Sequence, residues 1–209
     1  MPSTTRRTRA ERTDRRAEIE ARLRDAITKL VKQGETFTEL SVERLVAEVG
    51  ISRSTFYVYF EDKAALLRSL GAESMHSLYD GARLWIGKGE DATREDICAG
   101  MRQLLESFRE NEVIMVAMAE TAVYDPVVRE EYRKAVDDYI RATRRLIQRG
   151  EKSGKMRRLE RPAETAAALA WMTERTAFQM VPGATPRQLD AVAEGLADAV
   201  WATLYDSGH

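Results

Sequence analysis

The sequence predicts an all-α protein of nine helices, and three observations predict it. Apolar residues recur at helical spacing along most of the chain; Gly, Pro and short hydroxyl residues punctuate those stretches where helix caps belong; and no β-alternation of useful length occurs. Grouped by spacing, the helices form a small three-helix head and then a larger helical domain.

Residues 1–13, MPSTTRRTRAERT, lack a hydrophobic period and read as a flexible basic arm, with Arg6, Arg7 and Arg9 suited to phosphates or a minor groove. A first helix starts at Asp14, where Ile19, Leu23, Ala26, Ile27, Leu30 and Val31 make one stripe that Gly34 closes. Ser41 then has the side-chain oxygen of an N-cap, and Val42, Leu45, Val46 and Val49 recur at i, i+3, i+4, i+7. Gly50 supplies a left-handed stop, Ile51 anchors the turn, and Ser52 caps a second short helix through Phe60. Two short helices joined by a glycine turn are a helix-turn-helix.

Asp62 caps the next helix, with Leu66, Leu67, Leu70 and Leu78 on its apolar side. At 1.5 Å per residue it spans roughly 35 Å and links the head mechanically to the larger domain, until Gly87 and Gly89 end it. Thr93 caps a stripe of Ile97, Met101, Leu104, Leu105 and Phe108, and a separate short apolar helix is expected from Val113 to Ala122. Asp125-Pro126 is an N-cap with proline at the first helical position, opening a long helix with Val128, Tyr132, Val136, Tyr139 and Ile147 inward. Pro162 and Pro186 open the last two helices, with Pro182-Gly183 between them.

Composition bounds the function. Apolar residues at 44% and charged residues at 32% describe a soluble chain with a sizeable core. The chain has no run of 18 apolar residues, and its Arg-rich start has no apolar leader after it, so a cytoplasmic protein with no membrane partner is expected. Residues 1–63 carry 13 Lys/Arg and 11 Asp/Glu, residues 64–209 carry 20 and 23, so total charge does not choose a partner and local clusters must. Only His76 and His209 occur, Cys98 stands alone, and no glycine-rich phosphate loop follows a strand. No enzyme, cofactor or metal site is expected.

The helix from Ser52 to Phe60 is unusual in its density of short donors. Arg53 can offer two hydrogen bonds to a guanine edge, and Ser54 and Thr55 are short enough to reach bases or meet a thymine methyl. Arg44, on the outer side of the preceding helix, suits either base or phosphate.

The succession Gly50, Ile51, Ser52, Thr55, Phe56, Tyr57, Tyr59, Phe60, Asp62, Lys63 resembles the TetR-type transcriptional regulators. That resemblance implies a DNA-binding head over 14–63, a ligand-binding and dimerisation domain over 64–209, and phosphate contacts from Tyr57, Tyr59, Lys63 and the hydroxyls of Ser41 and Ser52. Within the family, Trp171-Met172-Thr173-Glu174-Arg175-Thr176-Ala177-Phe178 is similar to an Asn-Glu-Arg-Thr segment of the EthR-like branch. The branch implies an elongated, mostly apolar tunnel lined here by Met101, Leu104, Leu105, Phe108, Met115, Met118, Trp171, Glu174 and Phe178. Where that branch has asparagines for ligand, this chain has Ala170 and Thr173.

The expected function is therefore a repressor that binds double-stranded, palindromic operator DNA as a homodimer and is released by a small hydrophobic effector. Dimerisation is expected through the last two helices, where Leu169, Leu189, Val192, Leu196, Val200 and Leu204 offer apolar surface. The alternative is a DNA-associated structural or protein-interaction factor on the same scaffold with no inducer.

Overall fold

Capping residues set the boundaries of nearly every helix in the computed structural model, which describes residues 9–205, with side chains from residue 13. Among the described residues there are eight α-helices and one 3-10 turn, with no strand. They are α1 (Arg9–Lys32), α2 (Val42–Val49), α3 (Arg53–Tyr59), α4 (Lys63–Lys88), α5 (Arg94–Thr121), α6 (Pro126–Ser153), α7 (Pro162–Met180) and α8 (Pro186–Leu204). Gly89–Asp91 form the 3-10 turn. The chain divides into two compact units, residues 1–71 and 72–209.

Two boundaries differ from the sequence expectation. α1 begins at Arg9 rather than Asp14, because Ala10, Glu11 and Arg12 are good helix formers even without an apolar period. The rest of the expected arm, with Arg6 and Arg7, lies outside the described residues. The separate helix expected from Val113 is the continuation of α5, which lowers the α-helix count from nine to eight. Its charged middle, Arg109 to Glu112, contains no glycine or proline to break it, and Asn111 donates to the Ser107 carbonyl at 2.9 Å and accepts from Ser74 at 3.0 Å.

In the first unit, Ile19, Leu23, Ile27 and Leu30 of α1 are buried with Leu45 and Val46 of α2, Phe56 and Phe60, and Leu66, Leu67 and Leu70. Gly50 turns the chain between α2 and α3 at φ 71°, and its N–H and that of Ile51 both donate to the Val46 carbonyl, at 2.9 and 3.0 Å.

In the second unit α5 packs on α8, and α6 on α7. Thr93 and Thr185 form capping boxes with Asp96 and Gln188, and the Asp125 carboxylate accepts from the Val127 and Val128 N–H groups beside Pro126. Arg94 to Asp198 at 2.6 Å and Arg102 to Asp190 at 2.8 Å join α5 to α8. α4 and α5 approach through Gly81 and Gly100: a Cβ on Gly81 would stand 2.8 Å from the Gly100 carbonyl oxygen, 2.9 Å from the Gln103 Cβ and 3.0 Å from the Leu104 nitrogen.

Those neighbours are mostly backbone and cannot give way. Gly81→Ala is therefore expected to lower stability by about 1–3 kcal/mol through overpacking, although alanine is the better helix former by about 0.5–1 kcal/mol. Urea denaturation reads the difference, and a stabilised variant would show that this crossing is looser than its geometry.

Candidate nucleic-acid interface and the interior of the larger unit

The head exposes one arc of α3. Successive residues turn about 100° on a helix, so Arg53, Tyr57, Ser54 and Val58 fall within one arc of about 140° and Phe56 falls outside it, while Phe60 follows the helix as its extended C-cap. Phe56 and Phe60 are buried, the Arg53 side chain is 59% exposed, and Val58 is 75% exposed. Thr55 and Tyr59 are half-buried at the edges. Val58 is not among the contact residues expected from the sequence. Its offset of two residues from both Phe56 and Phe60 was the available signal, and an exposed apolar side chain there suits a thymine methyl.

The serines act as caps. The Ser41 oxygen accepts from the Arg44 N–H at 3.1 Å, and the Ser52 oxygen accepts from the Thr55 N–H at 3.0 Å. Ser52 also shares hydrogen bonds with the Ser54 and Thr55 hydroxyls, at 2.8 and 2.9 Å, so three expected contact residues form one hydroxyl cluster.

The cations are paired. Arg53 meets Glu43 at 2.7 Å, and its guanidinium carbon stands 5.9 Å from the Tyr57 ring centre. A backbone hydrogen bond at Glu43 itself and then the Arg53 charge hold the Glu43 carboxyl below its ordinary value. Glu43 was not anticipated from sequence, since a solvent-facing acid on a short helix is ordinary. Arg44 sits between Glu35 at 3.4 Å and Glu48 at 3.2 Å.

Lys63 departs most from expectation. Its ammonium donates to the carbonyls of Phe37 at 2.8 Å, Thr38 at 2.9 Å and Leu40 at 2.6 Å, and lies 4.8 Å from the Phe37 ring centre. Three donors meet three acceptors, so this cation ties the segment before α2 to the start of α4. Burial pushes its pKa down from the ordinary lysine value.

In the larger unit, Met101, Leu104, Leu105, Phe108, Met115 and Met118 are all buried. Phe178 is half-buried and packs edge-on against Phe108 with ring centres 4.8 Å apart. Trp171, expected in the tunnel, is 41% exposed. Thr173, where the resembling branch has an asparagine, donates its hydroxyl to the Leu169 carbonyl one turn back at 2.9 Å. Glu174 is buried beneath the surface and accepts a short hydrogen bond from the Tyr132 hydroxyl. Burial first, then Glu174, pushes the Tyr132 hydroxyl far above its ordinary pKa. Cys98 is half-buried and its thiol is pushed up by burial, which disfavours a reactive thiolate.

An open groove of about 710 Å³ runs between α7 and α8, lined by Met172, Thr176, Gln179, Met180, Val192 and Leu196 among others. None of the nine expected tunnel residues lines it. The apolar surface expected for a partner is also redistributed. Leu169, Leu189, Leu196, Val200 and Leu204 are buried within their own chain, whereas Met180 is 53% exposed and Met172 and Val192 are half-exposed.

A helix-turn-helix head with an outward donor-bearing helix defines a DNA-binding protein. Two family models match: bacterial regulatory proteins of the tetR family over residues 32–70, and the C-terminal domain of transcriptional regulator EthR over residues 97–206, more than half of the chain. Two relatives are the HTH-type transcriptional regulators EthR of Mycobacterium tuberculosis and of Mycolicibacterium smegmatis. The first is 26% identical over 166 residues, covering 79% of this chain and 77% of the relative; the second is 28% identical over 159 residues, covering 74% and 73%. A TetR-family regulator from Syntrophomonas wolfei has the same fold, with TM-score 0.70 at 16% identity over 92% of this chain and 99% of that one. The chain is thus a transcriptional regulator, not an enzyme. It belongs to the TetR family, with an EthR-type C-terminal domain. Among the described residues no helix is long and apolar enough to cross a membrane, and no group of metal-binding side chains occurs.

Lys63→Met is expected to destabilise the head by about 1–2 kcal/mol, the scale of hydrogen bonds to a partly exposed charged donor. The dependence of operator affinity on salt should keep its slope. Loss of a phosphate contact would instead reduce that slope by about 0.9, and titrations at several salt concentrations separate the two outcomes.

Proposed function

We propose that the chain is a ligand-responsive repressor that binds a palindromic operator as a homodimer in the cytoplasm and is released by a small effector held in the larger domain. The observation that carries this reading is the outward arc of α3, where Arg53, Ser54, Tyr57 and Val58 stand clear of the core. Arg53, Ser54 and Thr55 read bases, while Tyr57, Tyr59 and the Ser41 and Ser52 hydroxyls hold phosphates and fix register. Arg44 joins them on exchanging its carboxylate partners for the duplex. Residues 14–63 form the DNA-binding domain and 64–209 the domain for ligand and partner.

The α7 and α8 groove supports the dimer. Its floor is apolar, and Met172, Met180 and Val192 lie along it, the surface that a second copy would cover by the same patch. Two recognition helices then sit one duplex turn, about 34–36 Å, or a multiple apart. An effector releases DNA only by its differential affinity for the conformation with another head separation.

A second reading, a DNA-associated scaffold without an inducer, draws support from Met101, Leu104, Leu105, Phe108, Met115 and Met118, each 2% exposed or less. A ligand-library thermal-shift screen with an operator-release assay decides between the two, since an effector must stabilise the fold and loosen DNA together.

Arg53→Ala should weaken binding to the preferred operator by about 1–3 kcal/mol and to random duplex far less; equal losses would remove Arg53 from base reading. Met180→Lys, placing a charge in the groove, should shift the protein toward monomer in sedimentation experiments. An unchanged dimer would move the interface elsewhere.

A further inference from the structure

We propose that the effector carries a cation, an alkylammonium or amidinium group, and that Glu174 is its anionic anchor in the larger domain. This rests on the reading of the chain as a ligand-responsive regulator and names the chemical class of the ligand.

The Glu174 side chain is only 8% exposed. One carboxylate oxygen, Oε1, accepts from the Tyr132 hydroxyl, whereas Oε2 is buried and has no hydrogen-bond partner. The nearest cation, Arg175 Nε, is 3.9 Å from Oε2, on a side chain that is 68% exposed. A solvated guanidinium at that distance does not replace the hydration that a buried carboxylate oxygen has lost.

The surroundings suit a cation more than a neutral polar group. Trp171 lies three residues before Glu174 and Phe178 four residues after it, so both flank the carboxylate on one face of α7. Trp171 is partly open to solvent, so this edge of α7 reaches the surface. Tyr132 reaches the carboxylate from α6. Tyr79, whose hydroxyl is pushed up by burial first, then by Tyr139 and then by Glu174, stacks on Tyr139 with ring centres 5.0 Å apart. A desolvated carboxylate attracts an ammonium by charge, and any nearby ring that turns its face to the ligand adds its quadrupole. The polarity for ligand that the resembling branch places at the positions of Ala170 and Thr173 is missing here: one is a methyl group, and the other bonds its own helix. Glu174 remains as the polar determinant. The α7 and α8 groove cannot serve instead, because its α7 residues Met172, Thr176 and Met180 point to the opposite side of the helix.

The test compares hexyltrimethylammonium with 1-octanol, an uncharged probe of comparable apolar surface, on the wild-type protein and on Glu174→Gln, by calorimetric titration and by release of labelled operator. Wild type is expected to bind the cation at least about tenfold more tightly than the alcohol, and Glu174→Gln to lose that preference while binding the alcohol as wild type does. Equal affinity of wild type for cation and alcohol overturns the proposal without recourse to any variant, as does a preference that survives in Glu174→Gln. Release of operator by the alcohol but not by the cation also overturns it, while leaving the regulator reading intact. Cation binding that depends on Glu174 without operator release upholds the site and overturns the coupling to DNA.

Discussion

A helix of seven residues cannot hold itself together in water, and the DNA-facing surface depends on how α3 escapes that limit. Its start is closed by the Ser52 oxygen on the Thr55 N–H, its end by the Phe60 N–H on the Phe56 carbonyl. Phe56 inserts fully into the head and meets the Tyr57 and Phe60 rings, each at 5.4 Å. One buried aromatic and two caps therefore carry the conformation. Truncation of a buried Phe typically costs about 3–5 kcal/mol, a large share of the stability of a unit this small. Arg53 and Val58 take no part in those caps or in that buried contact, so they are free to be chosen for a duplex.

The same economy shapes the electrostatics. The head has nearly as many acids as bases, and its prominent cations already have partners: Arg53 with Glu43, Arg44 with Glu35 and Glu48, Lys29 with Glu48, Lys63 with three carbonyls. Long-range attraction to phosphate is correspondingly modest, and the proposed interface would lean on hydroxyls, aromatic edges and the few guanidinium groups that can exchange a carboxylate for a base. Glu43 has two effects on Arg53. It would compete with the guanine proposed for the guanidinium, and together with the Tyr57 ring it restricts that flexible side chain in the free protein. Exposed ion pairs are weak, so the competition costs little and the ordering is retained.

Most of the fold was legible in the sequence because caps are local. Ser41, Ser52, Asp62, Thr93 and Asp125, expected as caps, each accept from an N–H group in the first turn of their helix. What was not legible depends on tertiary placement. Nothing in spacing shows that α5 runs unbroken through Arg109–Glu112, since polar residues mark a break and a solvated helical face alike. An apolar stripe does not say whose core it fills, so Leu189, Leu196 and Val200 read as partner surface although they are buried against their own chain. Lys63 reads as a phosphate ligand by its place in the motif, and only the path of residues 37–40 reveals the carbonyls that receive it. Of the expected tunnel, six residues are buried as an apolar lining or core would be, whereas Trp171 lies at the surface.

α7 is where the two proposals meet. Its residues Met172, Thr176, Gln179 and Met180 face the open groove proposed for a second subunit, and on its far side Glu174 and Phe178 reach toward α6 and α5 through Tyr132 and Phe108. A ligand cation at Glu174 would replace the lost hydration of a buried oxygen and draw on the same carboxylate that holds the Tyr132 hydroxyl. The natural response is a small rotation or translation of α7 against α6, which packed helices accommodate as discrete steps, not as continuous deformation. Since one helix carries both surfaces, any such step would reach the proposed subunit interface without an intervening relay. The size of the effect at the operator is then bounded by how differently the ligand binds the two positions of α7. A buried carboxylate missing one partner supplies that difference more sharply than an apolar wall, because the unpaired state is the costly one.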